Sequence, residues 1–200
     1  MAKKIITISR EFGSGGRSIA KDVANQLGFA YYDKEIIKKT AEKTGFDEAY
    51  IKEHGEYASG TSFLSYIAGI FGSNTSHLSA TDFLYVMQRQ VILELAEKGN
   101  CVIVGRCADY ILRDREDCLN VFIHADEAYK AERIVRLYGK TEKTPEERLR
   151  EKDTRRRVNY KHYTGEEWGK CQNYHLSLDS SVIGEENCIK IICELAKSLN

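Results

Sequence analysis

Close to the start of the chain, Lys4-Ile-Ile-Thr-Ile-Ser-Arg10 leads through Glu11-Phe12 into Gly13-Ser14-Gly15-Gly16, and a helical pattern opens at Arg17-Ser18. A strand that passes through clustered glycines into a helix is how a phosphate-binding loop is written. Glycine backbones turn their N–H groups inward at positive φ, and the positive end of the helix adds to the same concave anion site. Taken alone, the cluster also fits a tight strand-to-helix turn without a ligand.

Set against G-x-x-x-x-G-K-[ST], the segment fits in either of two registers. In one, Gly16-Arg17-Ser18 forms the closing end, Arg17 replaces the lysine and Glu11 stands at the first glycine. In the other, Gly15 closes the loop, Gly16 takes the lysine position and Arg10 the first glycine. Both lack the lysine. Arginine still offers fixed charge and several donors to phosphate oxygens, although its planar fork is not equivalent to an ammonium. Ser18 keeps a hydroxyl able to ligate magnesium.

The remainder of the chain supplies the context for a phosphate site. Continuous apolar runs at residues 5–8, 101–104 and 119–123 read as central parallel strands covered on both faces, with 29–32 and 175–178 flanking them. Helices are expected over 17–27, stopped by Gly28, and along the stripe Leu84, Met87, Val91 and Leu95, ended by Gly99. Others fall near 127–138, 145–158 and 185–199. The alternation predicts one α/β domain spanning residues 1–200, with a five-stranded parallel sheet and helices on both faces. At 42% hydrophobic and 30% charged residues, the composition is that of a globular protein.

Two segments interrupt the alternation. Residues 34–79 start as a polar helix and continue through Gly/Ser-rich stretches around the apolar 63–71; they read as a helical cap on the acceptor side, with core packing the favoured fate of 63–71. Residues 139–163 read as a basic helical lid, in a region where Arg136, Lys140, Lys143, Arg148, Arg150, Lys152, Arg155, Arg156, Arg157 and Lys161 outnumber the acids. Such charge runs are commonly solvated faces. Phosphoryl transfer, however, requires positive charge spread around the transferred group, which gives a run of this density a chemical use.

The composition narrows the partners. The formal net charge is zero, which gives no reason to expect nucleic acid or membrane as a partner. With no apolar leader and no run of membrane-spanning length, the expectation is a soluble, cytoplasmic protein. Six cysteines without C-x-x-C pairs argue against zinc and fit a reducing compartment. The oligomeric state is left open.

From residue 6 to 195 the chain resembles the cytidylate kinase family, in particular a deviant cytidylate-kinase-like branch of the P-loop nucleoside monophosphate kinases. The blocks that carry the resemblance are the 8–18 loop, Tyr31-Tyr32-Asp33, Val102-Ile103-Val104-Gly105-Arg106, the basic helix 148–157 and Leu176-Ser-Leu-Asp-Ser-Ser181. The resemblance implies that Gly13, Ser14, Gly15, Gly16, Arg17 and Ser18 wrap the phosphates of ATP, with Ser18 the metal ligand for Mg2+. It puts Asp179 near the adenine, and Asp33 and Arg106 on the acceptor side. Asp109 is grouped with these and as a further oxygen near the metal. Arg17 and Arg106 would clamp donor and acceptor, and Arg155 or Arg157 would meet the transferring group. The chain departs from the family pattern at Val104, where an aspartate is expected, and at Arg156, which stands where the family's lid carries the aspartate that helps recognise the acceptor's sugar.

The expected function is ATP-dependent phosphoryl transfer to a small acceptor, a nucleoside monophosphate of cytidylate type, with nucleotides as the partners. Two alternatives stand beside it: a nucleotide-binding regulator without turnover, motivated by the missing lysine and aspartate, and a kinase for a non-nucleotide metabolite.

Overall fold

The computed structural model describes residues 4–54 and 80–198. Within them a single parallel sheet is built from β1 (Ile5–Arg10), β2 (Ala30–Tyr32), β3 (Cys101–Val104), β4 (Cys118–His124) and β5 (Leu176–Asp179), in the order β2-β3-β1-β4-β5. The helices between them are α1 (Gly16–Leu27), α2 (Lys34–Thr44), α3 (Glu48–His54), α4 (Ala80–Glu97), α5 (Ala108–Ile111), α6 (Glu127–Tyr138), α7 (Pro145–Thr164), α8 (Ser180–Ile183) and α9 (Glu185–Ser198).

The continuous apolar strands are those with helices on both sides. Ile6, Ile8, Val102, Val104, Val121 and Ile123 face α1 and α9, meeting Ile19, Val23, Ile189 and Ile192. The alternate residues Ile5, Cys101, Ile103 and Cys118 face α4 and α5, packing on Val91, Ile92, Leu95 and Ile111. This is the two-residue period of a strand, apolar in both phases because both faces are buried. Further along the second face the side chains become polar: Thr7 donates its hydroxyl to Asn120 Oδ1 at 2.6 Å, and Ser9 follows it. The expected strands are all present, with β2 and β5 at the edges, β2 starting one residue later than expected and β5 displaced by one residue.

The topology places the site. Every strand is parallel, so all their C-terminal ends lie along one edge of the sheet. From β1 the order departs in both directions, toward β3 and β2 on one side and β4 and β5 on the other, which makes the end of β1 a switch point where α/β sheets open a crevice. The glycine loop follows β1 directly.

α7 is longer than the sequence suggested. Thr144 and Glu147 form a reciprocal capping box, Pro145 occupies the first turn, and Gly165 at φ 74° ends the helix. The six residues beyond Val158 carry an aromatic tail that is packed: Tyr160 is buried, and Tyr163 stacks on Tyr85 of α4 with ring centroids 4.0 Å apart. The expected cap is described only through α2 and α3; the apolar 63–71 stretch lies outside the described residues.

Candidate functional site

The loop from Glu11 to Gly15 is held from beneath. Ser14 is fully buried with its hydroxyl within hydrogen-bonding distance of the carbonyls of Glu11 (3.0 Å) and Ile123 (3.1 Å), which share its one proton, while Ser180 Oγ donates to the Ser14 carbonyl at 2.6 Å. Asp153 of α7 accepts the Phe12 N–H at 2.8 Å. Gly13 and Gly15 take φ values of 87° and 81°, in the left-handed region that side-chain-bearing residues avoid. Gly16 opens α1, a helix whose N-terminus holds no acidic side chain in its first turn. Gly13, Gly15 and Gly16 therefore line one cavity at the helix terminus, the arrangement expected for phosphate.

The cations around this surface come mostly from outside the loop. Arg17 sits at the lysine position in one register, but its guanidinium grips Asp33 at the end of β2, Nε to Oδ2 at 2.8 Å and Nη2 to Oδ1 at 3.3 Å. From α6, Lys130 reaches Glu11 at 2.6 Å, and Arg133 donates Nη2 to Ser18 Oγ at 3.0 Å while pairing with Glu185 at 2.9 Å. From α7, Arg156 donates Nη1 to the Arg10 carbonyl at 3.1 Å and pairs with Asp153 at 3.0 Å. Arg133 and Arg156 line the loop cavity together with Arg10, Arg17, Ser18 and Tyr138.

A second pocket adjoins the first and shares Arg10 and Arg156 with it. Arg106, Asn159, Tyr160 and Trp168 complete its wall. Arg106 follows β3, lies buried at φ 58°, and donates Nη1 to Gln88 Oε1 of α4 at 2.8 Å. Non-glycine residues at positive φ are uncommon, and here Arg106 and Cys107 adopt it in succession. Two arginine-lined pockets thus meet across the Arg10–Arg156 wall.

The remaining expected site residues fall in different places. Asp33 belongs to the Arg17 pair and also accepts from Tyr31 at 3.4 Å. Asp179 caps α8, accepting the N–H groups of Ser181 (3.0 Å) and Val182 (3.3 Å); these bonds, led by that from the Ser181 hydroxyl, hold its carboxyl below the ordinary range. Asp109 is buried, and it accepts from Tyr160 at 2.7 Å and from Ser9 at 3.5 Å. Burial raises its pKa to about 6 despite those donors. It does not line the loop cavity. Arg155 is exposed and pairs with Glu151 along the helix at 2.7 Å; Arg157 is exposed at the rim of a groove with Glu11, His124 and Trp168.

For magnesium, the described residues offer Ser18 Oγ and no cluster of three metal-binding side chains. One protein oxygen beside nucleotide phosphates and water is within the habit of this ion, so the donor set fits a metal that arrives with the nucleotide. Sequence reasoning did not single out Arg10, Lys130 or Arg133. The signal for the last two was their three-residue spacing on the helix after β4, which puts them on one face.

Comparison with known proteins agrees with this architecture. The sequence model of the cytidylate kinase-like family matches residues 5–182. The chain belongs to that family. It is 26% identical over 194 residues to the cytidylate kinase of Aeropyrum pernix, covering 95% of this chain and 97% of that one. Against the cytidylate kinase of Pyrococcus horikoshii it is 24% identical over 191 residues, covering 95% and 86%. Among solved structures, an uncharacterized protein from Eubacterium ventriosum superposes with a TM-score of 0.72 at 26% identity, covering 97% of this chain and 98% of that one. A shikimate kinase from Acinetobacter baumannii, solved with shikimate, gives 0.53 at 16% identity over 96% and 92%, a likeness of fold alone. Family membership supports phosphoryl transfer as the chemistry. No helix among the described residues is long and apolar enough to cross a membrane.

Proposed function

We propose that the protein transfers a phosphoryl group from ATP to a nucleoside monophosphate of cytidylate type. The observation that carries this reading is the pair of adjoining anion surfaces, the glycine loop on one side and the Arg106 pocket on the other, separated by Arg10 and Arg156. An acceptor phosphate held by Arg106 would lie across that wall from the terminal phosphate of a nucleotide on the loop. Its oxygen is already a nucleophile, so the protein need supply no strong base; its work is alignment, charge and exclusion of water. Arg156 belongs to both pockets and is the side chain best placed to meet charge that moves from donor to acceptor. Magnesium, bound with the nucleotide and to Ser18 Oγ, would contribute Lewis-acid charge neutralisation.

The direct test is a coupled ADP-release assay with ATP, magnesium and a panel of monophosphates. Turnover with CMP or dCMP in preference to AMP, GMP and UMP is the expected result. Turnover only with non-nucleotide acceptors would replace the acceptor class.

A second reading, a nucleotide-binding regulator without turnover, rests on a specific observation. Lys130 and Arg133 beside the loop are paired with Glu11 and Glu185, and Arg17 with Asp33. ATP-dependent thermal stabilisation with no ADP from any acceptor would favour it.

A further inference from the structure

In the register that puts Arg17 at the lysine position, that cation is already committed to a carboxylate. Arg17 spends its fork on both carboxylate oxygens of Asp33, and its side chain remains 54% exposed. Arg133 enters from α6 with a side chain only 10% exposed and brings Nη2 to 3.0 Å from Ser18 Oγ. Ser18 lies in the first turn of α1, so a phosphate seated on the loop amides lies beside it. Two contacts fix the direction of Arg133: Nε and Nη2 both bind the Glu185 carboxylate, at 3.0 and 3.2 Å. The same carboxylate stands about as near Gly15 as sterics allow, since a Cβ there would lie 2.9 Å from its carbon. Glu185 thus holds Arg133 at the loop and places negative charge where phosphate must come.

We infer that Arg133, delivered by the helix after β4, supplies the fixed positive charge on the donor's terminal phosphates that the absent loop lysine would otherwise supply, and that Glu185 positions it while competing with the phosphate. Arg17 instead positions Asp33. This rests on the reading that the loop binds a nucleoside triphosphate. A guanidinium already ordered by a carboxylate loses little freedom on binding phosphate, and it can donate two parallel hydrogen bonds.

The test is calorimetric titration of the intact protein with ATP and with AMP, with and without magnesium, for wild type, R133Q, R133K, R17Q and E185Q, with folding checked by circular dichroism. R133Q is expected to weaken ATP binding by about tenfold or more, as loss of a charge-assisted phosphate contact does, while AMP binding changes little. R133K should restore part of the loss. R17Q should cost about twofold at most, and E185Q should leave ATP affinity unchanged or raise it, because an anion has been removed from the anion site. A loss in R133Q without a loss in E185Q is what a merely structural ion pair would not give. If both weaken ATP alike, or if R17Q loses affinity and R133Q does not, the inference is overturned. Should R133Q fail to fold, R133K against E185Q decides by the same comparison. Absence of ATP binding by the wild type would overturn the triphosphate reading itself, a result distinct from any ordering among the variants.

Discussion

Tyr160 donates its phenolic hydrogen to Asp109 across 2.7 Å, tying the C-terminal half of the basic helix to the turn that follows Arg106. Both groups are buried. Burial, together with the nearby Asp109 charge, drives the Tyr160 pKa far up, so the phenol remains a donor at any ordinary pH. Tyr160→Phe would leave the Asp109 carboxylate with the long Ser9 contact at 3.5 Å and the backbone N–H groups of Asp109 and Tyr110, having lost its short side-chain donor in a buried place. The expected cost is about 1–3 kcal/mol of stability, the usual penalty for taking a partner from a buried polar group. Thermal or urea unfolding of the variant against wild type at pH 7 measures it, and an unchanged midpoint would show that the bond contributes nothing to stability.

The same acid makes stability depend on pH. In the unfolded chain the Asp109 carboxyl titrates at its ordinary 3.8, whereas in the folded protein burial raises it to about 6. Between those values the folded state holds the extra proton, so stability falls as pH rises through the interval and the loss is complete above about 6. At about 1.4 kcal/mol per unit, the two-unit shift corresponds to roughly 3 kcal/mol. Asp109→Asn removes the titration. Relative to wild type, the variant should gain stability from pH 4 to pH 7, measured as the difference in unfolding free energy; a difference that stays flat over that range would exclude Asp109 as the titrating group.

What the sequence made legible follows the physics of each element. Strands β1, β3 and β4 are buried on both faces, so their apolar runs announce them; α1 ends where Gly28 can adopt positive φ. The end of α7 was missed because its last residues, from Asn159 to Thr164, carry no apolar period, yet Gly165 marked the stop. Which lid arginine faces the loop was recoverable in part. Leu149, Asp153, Asn159 and Tyr160 are the buried positions, and Arg156 falls in a four-three-four spacing with Leu149, Asp153 and Tyr160, whereas Arg155 and Arg157 lie about 100° to either side. The density of arginines in the sequence does not reveal that face; its sparse buried residues do. Arg17 illustrates a harder limit. Its place in the motif suggests phosphate and it does line the loop cavity, but its guanidinium is paired with Asp33, sixteen residues onward, and only folding brings that carboxylate to the loop. Lys130 and Arg133 look like ordinary helix charges until α6 is placed against the loop.

Gly16 is expected to tolerate no side chain. A Cβ there would stand 2.5 Å from Arg10 Cβ and 3.3 Å from Ile123 Cβ. Both are atoms fixed to strand backbone, so relief requires the loop itself to move. Gly16→Ala should cost about 1–3 kcal/mol, in the range for overpacking a tight interior. Because the displaced segment carries the converging amides, ATP affinity should fall by more than the stability loss explains. Titration with ATP at a temperature well below the unfolding transition separates the two effects; full affinity in a folded variant would mean that the amides do not form the phosphate surface.

Arg106 gives the clearest separation of donor from acceptor. It lies after β3, in the pocket beyond the Arg10–Arg156 wall, and its partner Gln88 sits on α4 rather than on the loop. Arg106→Ala is therefore expected to leave the dissociation constant for ATP within about threefold while lowering acceptor-dependent kcat/KM by about a hundredfold or more, the scale on which removal of one preorganised charge donor acts. Gln88→Ala, which removes one contact of the guanidinium without removing the guanidinium, should lower kcat/KM by about tenfold with ATP affinity again preserved, the smaller loss reflecting weakened orientation. Parallel titrations and initial-rate measurements on both variants distinguish the cases. Loss of ATP binding in Arg106→Ala would place this arginine on the donor side and reverse the assignment of the two pockets.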